Sequence, residues 1–231
     1  MRNKSVLIVA AHPDDEVLGC GATIAKHARA GDTVNVLILA EGATSRAGTR
    51  RAGLRSPTSA LSALRTAARD AGKILGAARV SLAGFPDNRL DGLELLDVIK
   101  RVEKEISAVR PDAIYTHHAG DVNVDHQVTH DAVVTAARPQ PGRAAALYFF
   151  ETQSSTEWRP PQSRAPFTPT HFVDVSATLE AKMRALRMYS SEMRPWPHAR
   201  SYEAIEHLAR WRGATIGREA AEAFEAGRTI A

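Results

Sequence analysis

The stretch Ser5-Val6-Leu7-Ile8-Val9-Ala10-Ala11-His12-Pro13-Asp14-Asp15 decides the fold. Its first six residues form a short apolar run rich in β-branched side chains, as expected of a strand buried on both faces of a parallel sheet. The run breaks directly into a polar turn. An amphipathic segment follows from about Glu16 to Ala30, Gly31-Asp32 stops it, and Thr33 to Leu39 reads as a second buried strand. Strand, helix and strand within about 35 residues make the βαβ unit of a parallel sheet.

The same alternation continues outward. Helices are expected over Ser59 to Leu75, Asp91 to Val109, Val124 to Ala137, Ala177 to Tyr189 and Ser201 to Arg212. Strands are expected over Arg79 to Leu82, Asp112 to Thr116, Ala145 to Phe150 and His171 to Val175. There is no internal repeat and no composition shift that would mark a boundary, so residues 1–231 read as a single Rossmann-like α/β domain with a mostly parallel sheet flanked by helices. Two loops stand out, Glu41 to Thr58 and Thr152 to Thr170, because loops of that length often carry function. In such sheets the active site lies beyond the carboxyl ends of the strands, which selects the loops after Ala10, Leu39 and Thr116.

Composition narrows the class. With 231 residues, 44% hydrophobic and 24% charged, the chain is long enough for a sizeable core and matches soluble globular proteins. No apolar run approaches the roughly 20 residues of a membrane helix, and the run at Val6 to Ala11 is too short for a signal-peptide core. Cys20 is the only cysteine, so neither an internal disulfide nor a thiolate-rich metal site can form. A cytoplasmic protein is the simplest expectation. The net charge of +4 comes from six Lys and 24 Arg spread along the chain, with no basic tail and no aromatic–basic alternation. That diffuse charge argues against nucleic-acid binding and leaves an anionic small substrate open. Nothing in the composition opposes a homo-oligomer.

The first chemical cluster is the turn itself. A catalytic zinc takes three protein ligands from His and carboxylates and leaves a position for water. His12 and Asp15 sit on one tight strand-to-helix turn, with Pro13 fixing its backbone, so both side chains can point into one pocket. Asp14, between them, is free of that duty and well placed to accept a proton from water. The competing reading is that Asp14 or Asp15 caps the following helix. Gly19-Cys20-Gly21 does not complete a dinucleotide fingerprint, since no third glycine follows and the pair comes after the motif, away from the strand end.

The second cluster runs from His117 to His130 and holds more donors than one zinc can use. His126 and His130, four apart, would share a helix face, but Gln127 stands where a zincin has its catalytic Glu. His117 and His118 end a strand and could line the substrate cleft. At least one ligand is expected here, beside a second group of acids.

Together the two clusters resemble the PIG-L/LmbE family of zinc-dependent N-deacetylases. Ala11-His12-Pro13-Asp14-Asp15-Glu16 is similar to that family's first motif throughout, and Asp125-His126 to the end of its second. The Gly84-Phe85-Pro86-Asp87-Asn88 and Pro197-His198-Ala199-Arg200-Ser201 segments also look like bacterial members. The resemblance implies one Zn2+ held by His12, Asp15 and His126, with Asp14 as general base and Asp125 orienting its neighbours. It departs at Asn123, where many members have a histidine: asparagine can donate to an oxyanion but cannot serve as a proton donor. The acid role then falls to Asp14 acting in both directions, with His198 or His118 as the other candidates.

The implied substrate is a small N-acylated amino sugar, with a nucleotide-linked sugar suggested by Arg46, Arg50, Arg51 and Arg55, which suit bidentate phosphate recognition in the loop after the second strand. A solvated loop is the plainer account of those arginines. Trp158, Trp196 and Tyr202 could stack on a sugar ring or simply pack. Two rival functions remain: a zinc amidase with a non-sugar substrate such as a thiol conjugate or antibiotic intermediate, and a non-catalytic Rossmann-like nucleotide-binding protein. The metal itself could be another divalent ion, since a His–Asp–His site accepts several.

Overall fold

The computed structural model describes residues 3–43, 58–141 and 144–230. β1 (Ser5–Ala10), α1 (Asp15–Arg29) and β2 (Thr33–Ala40) form the opening βαβ unit, followed by α2 (Thr58–Leu75) and β3 (Arg79–Phe85). Next come α3 (Leu95–Val109), β4 (Ala113–His117), α4 (Val124–Ala136) and β5 (Ala146–Phe150). β6 (His171–Asp174), α5 (Leu179–Leu186), α6 (Tyr202–Ala214) and β7 (Ala221–Arg228) complete the chain. The seven strands form one sheet in the order β3-β2-β1-β4-β5-β7-β6. β1 to β5 pair in parallel, and β7 joins β5 and β6 antiparallel.

Period-two burial of β1 explains why it is apolar throughout. Val6, Ile8 and Ala10 face one core with Val17 and Ile24 of α1, Leu64 and Ala68 of α2, and Ala185 of α5. Leu7 and Val9 face the other core, with Val98 and Val102 of α3 and Val133 of α4. The chain winds away from β1 in both directions, through β2 to β3 on one side and through β4 to β5 on the other. This makes the crevice beyond Ala10 and His117 the topological switch point, where such sheets place their ligands.

Three elements differ from the expectation drawn from sequence. The segment from Asp91 does not start a helix: Leu90–Gly92 is a separate 3-10 turn, whose Leu90 N–H donates to Asp125 Oδ1 at 2.9 Å, and α3 starts at Leu95. α5 ends at Leu186 and tightens into a 3-10 turn at Arg187–Tyr189. β7 was not anticipated, because Ala, Glu and Gly dominate it. Phe224 holds it in place, fully buried and edge-on to Tyr115.

α1 is bent at Cys20, whose φ of −150° and ψ of 25° are not helical. The bend accounts for Gly19-Cys20-Gly21. A Cβ on Gly19 would lie 2.2 Å from Phe150 Cδ2, so the helix passes the end of β5 only without a side chain there. Backbone groups released by the bend find partners on other elements. Glu222 of β7 accepts from Ala22 N at 3.1 Å and Thr23 N at 2.7 Å, while Lys182 of α5 donates to Leu18 O and to Glu222 Oε1, each at 2.7 Å.

Candidate active site

The β1–α1 turn and the start of α4 meet at the switch point. Asp15 Oδ2 lies 3.1 Å from His12 Nδ1 and 3.1 Å from His126 Nε2, so three donor atoms from two segments converge. Each histidine is backed by a carboxylate on its other nitrogen. Asp125 Oδ2 is 3.0 Å and Asp87 Oδ1 3.3 Å from His12 Nε2, and Asp121 Oδ2 is 3.1 Å from His126 Nδ1. Backing of this kind fixes ring orientation and raises the basicity of a metal ligand. Asp121 is itself fixed by the Ser155 and Thr156 hydroxyls and by Asn123 N.

The electrostatics favour a cation. Burial alone would lower both imidazoles, but Asp125, Asp15 and Asp87 hold His12 at about 10, and Asp15 and Asp121 hold His126 at about 9. Burial opposes ionisation of Asp15 too, and the neighbouring His126 and His12 outweigh it, keeping its carboxyl well below the usual range. Two imidazole nitrogens and one carboxylate oxygen form a donor set suited to a divalent transition metal. Asp125 and Asp87 could join His12 in a second grouping. They face the opposite ring nitrogen, however, and Asp125 already accepts from Leu90 N, so the His12–Asp15–His126 set fits a metal better.

The other histidines of the second cluster have partners outside the donor set, although His117 Nε2 lies 3.5 Å from Asp15 Oδ2. His117 stacks on His126 with ring centroids 3.9 Å apart, yet its Nε2 accepts from Ala11 N at 2.9 Å and its Nδ1 meets Thr152 Oγ1. Burial and the charge of His126 keep His117 neutral. His130 donates to His117 O at 2.8 Å, away from the donor set. His118 contacts Glu225 Oε2 at 2.6 Å and Ala165 O at 3.1 Å, and lines a separate cleft with Arg159 and Arg212. His198 accepts from Arg200 N through Nδ1 and meets Trp158 edge to face at 5.7 Å.

Asp14 caps nothing with its side chain. Its backbone is left-handed, with φ 104°, a conformation that costs a non-glycine residue on the order of 1–3 kcal/mol. Its carboxylate Oδ2 accepts from Arg200 Nη1 at 2.9 Å, and Arg200 Nε is anchored on Ser154 Oγ at 2.9 Å. Burial pushes the Asp14 carboxyl up to about 7 against the lowering effect of Arg200. Asn123 is the N-cap of α4: its side chain accepts from Asp125 N at 2.8 Å and donates to Asn88 Oδ1 at 3.1 Å. Asparagine is among the best N-caps, which gives a structural reason for its presence here.

Asp14, Asn88, Asn123, Ser154, Glu192 and Arg200 surround a polar cavity of about 150 Å³ above the donor atoms. A larger cavity of about 490 Å³ opens at the amino ends of β4 and β5, between α3 and α4, but no histidine lines it. Arg46, Arg50, Arg51 and Arg55 lie outside the described residues. Trp158 and Trp196 are half-exposed, and Tyr202 packs against the core. Sequence reasoning did not single out Arg200 or Asp121 as site residues. Arg200 is 186 positions from Asp14, and Asp121 finds its hydroxyl partners on a later loop.

The family model for PIG-L, described as GlcNAc-PI de-N-acetylase, matches residues 7–137, which span both clusters. The chain belongs to the PIG-L family. It is thereby a hydrolytic N-deacetylase of a metal-dependent family. A PIG-L relative from Rhodococcus jostii (strain RHA1), a 1D-myo-inositol 2-acetamido-2-deoxy-alpha-D-glucopyranoside deacetylase, is 28% identical, with 95% of this chain and 96% of that protein covered. Diacetylchitobiose deacetylase from Thermococcus kodakarensis is also 28% identical, covering 82% of this chain and 70% of that protein. The fold extends beyond deacetylases: a 4-carboxy-2-hydroxymuconate hydratase from Pseudomonas putida KT2440 superposes with a TM-score of 0.77 at 23% identity, covering 99% of this chain and 98% of that one. Among the described residues no helix is long and apolar enough to cross a membrane.

Proposed function

We propose that this PIG-L member is a zinc-dependent deacetylase of a small N-acetylated amino sugar, with His12, Asp15 and His126 holding the metal and Asp14 as general base. One observation carries the reading: the His12, Asp15 and His126 donor atoms converge beside Asp14, whose carboxylate opens into the polar cavity. Relatives named as deacetylases of acetamido sugars support the substrate class. When bound, zinc supplies a Lewis acid and lowers the pKa of water to about 7.

The protein's own residues do the rest. Asp14, steered by Arg200, accepts the proton of the attacking water and returns it to the departing amine, because an amide anion is too poor a leaving group to depart unprotonated. Asn123 holds its amide at the cavity wall, where it can donate to the developing oxyanion. Asp125, Asp87 and Asp121 keep the two imidazoles in register. Ser154, Asn88 and Glu192 offer the hydrogen-bonding groups that sugar hydroxyls need.

Elemental analysis of wild type and His126→Ala, with acetate release measured on a panel of N-acetylated sugars, tests the reading. Near-stoichiometric zinc in the wild type, lost in the variant along with acetate release, is the expected result. A wild type that binds no zinc, or that binds it and releases acetate from none of the sugars, would overturn it.

A further inference from the structure

Glu16, the last residue of the first motif, has no role in the chemistry above, yet it is 2% exposed and both its oxygens are committed. Its Oε2 accepts from Asp14 N at 3.0 Å, and its Oε1 accepts from Tyr189 Oη at 2.6 Å. Tyr189 is fully buried in the 3-10 turn after α5, so the brace comes from an element 173 positions away. The contact is not the usual capping box, in which a carboxylate at the third helical position reaches back to the N-cap. Glu16 is the second residue of α1, and it holds the amide of Asp14, whose φ of 104° is the largest among the left-handed site residues Asp14, Asn88 and Ser154.

Asp14 is thus gripped at two points. Arg200 holds its carboxylate from the segment between α5 and α6, and Glu16 holds its amide from α1. With φ at 104°, Asp14 has a strong local tendency to relax, and relaxation would rotate its carboxylate away from the donor atoms. We propose that Glu16, braced by Tyr189, is a positioning residue that keeps Asp14 in its left-handed conformation and so aims the general base. The inference rests on the deacetylase reading above.

The test uses zinc-loaded full-length protein. Glu16→Met keeps the volume and removes the acceptor, and Tyr189→Phe removes the brace. Glu16→Gln keeps an oxygen for Asp14 N and an amide for Tyr189 Oη. The expected result is undiminished zinc content, a KM close to wild type and a kcat lowered about 100-fold in Glu16→Met, the scale of a 1 Å misplacement. Tyr189→Phe falls less, and Glu16→Gln regains most of the loss. Crystal structures of zinc-loaded Glu16→Met and Tyr189→Phe should show Asp14 out of the positive-φ region. Should Glu16→Met fail to fold, Tyr189→Phe supplies both readings. An Asp14 that stays in place in these structures, or a kcat equal to wild type, would overturn the role, as would a Glu16→Gln as impaired as Glu16→Met. The conformation of Asp14 is read whether or not a sugar is turned over, so a failure of the deacetylase reading would show separately, as a wild type without activity.

Discussion

As the proposed general base, Asp14 has to stay ionisable while buried, and aimed while its backbone is strained. Its replacement by Asn keeps the shape and the Arg200 contact but removes the proton acceptor. Asp14→Asn is therefore expected to lower kcat about 10²–10⁴-fold, the usual contribution of a positioned general base, with zinc content unchanged. Steady-state kinetics with parallel metal analysis checks this, and loss of zinc in the variant would show that Asp14 serves the metal instead. Asp121 works one step further out. It meets His126 Nδ1 and is tied down by two hydroxyls and the Asn123 amide. Asp121→Asn should weaken zinc binding about 10–100-fold, measurable by competition with a chromophoric chelator, while an unchanged affinity would make the contact incidental. At this scale the meeting of His12, Asp15 and His126, the proposed donors, beside Asp14 was legible in the sequence, because these residues fall in two dense runs at strand ends. Their supports were legible only as segments: Ser155 and Thr156 lie in the long loop after β5 and Arg200 in the 197–201 segment, but their roles depend on partners far away in sequence.

At the scale of elements, the bend in α1 controls how the site is presented. The helix carrying Asp15 must begin at the switch point and still pass Phe150, and it does both by breaking at Cys20. The Lys182–Glu222 pair closes the broken ladder, with both residues 4% exposed. Burial makes this pair sensitive to the loss of one partner. Lys182→Met leaves Glu222 charged and unpaired in the interior and should cost about 3–5 kcal/mol. The double variant Lys182→Met/Glu222→Gln should recover part of that cost. Urea unfolding of wild type, Lys182→Met, Glu222→Gln and the double variant checks the prediction, and additive losses would mean that the two residues do not act as a pair. The opening βαβ unit could be read from sequence because both faces of β1 and β2 are buried, which forces continuous apolar runs. β7 could not, since its place depends on Phe224 in the core and on Glu222 meeting α1. Both are tertiary demands written on a strand of low intrinsic propensity.

Across the whole molecule, the switch point joins parts of the chain that have no other reason to meet. The turn after β1, the loop after β3, the loop after β4 and the start of α4 all contribute to the cluster, through His12 and Asp15, Asp87, Asp121, and Asp125 and His126 respectively. Four buried carboxylates around two imidazoles repel one another unless positive charge lies among them. A divalent metal held by the proposed donors would link the site to the stability of the fold, because the unfolded chain has no such arrangement of donors. Binding at 100 times Kd adds about 2.7 kcal/mol, which for a chain of this length corresponds to a rise in Tm of roughly 5–10 °C. Calorimetry on zinc-loaded protein should show that rise relative to chelator-treated protein, with full recovery when zinc is restored. His126→Ala, deprived of one of the three donors, should melt at nearly the same temperature with and without zinc. A wild-type Tm indifferent to chelation would mean that His12, Asp15 and His126 are balanced by protons alone, and that the cluster is a buried charge network and no metal centre.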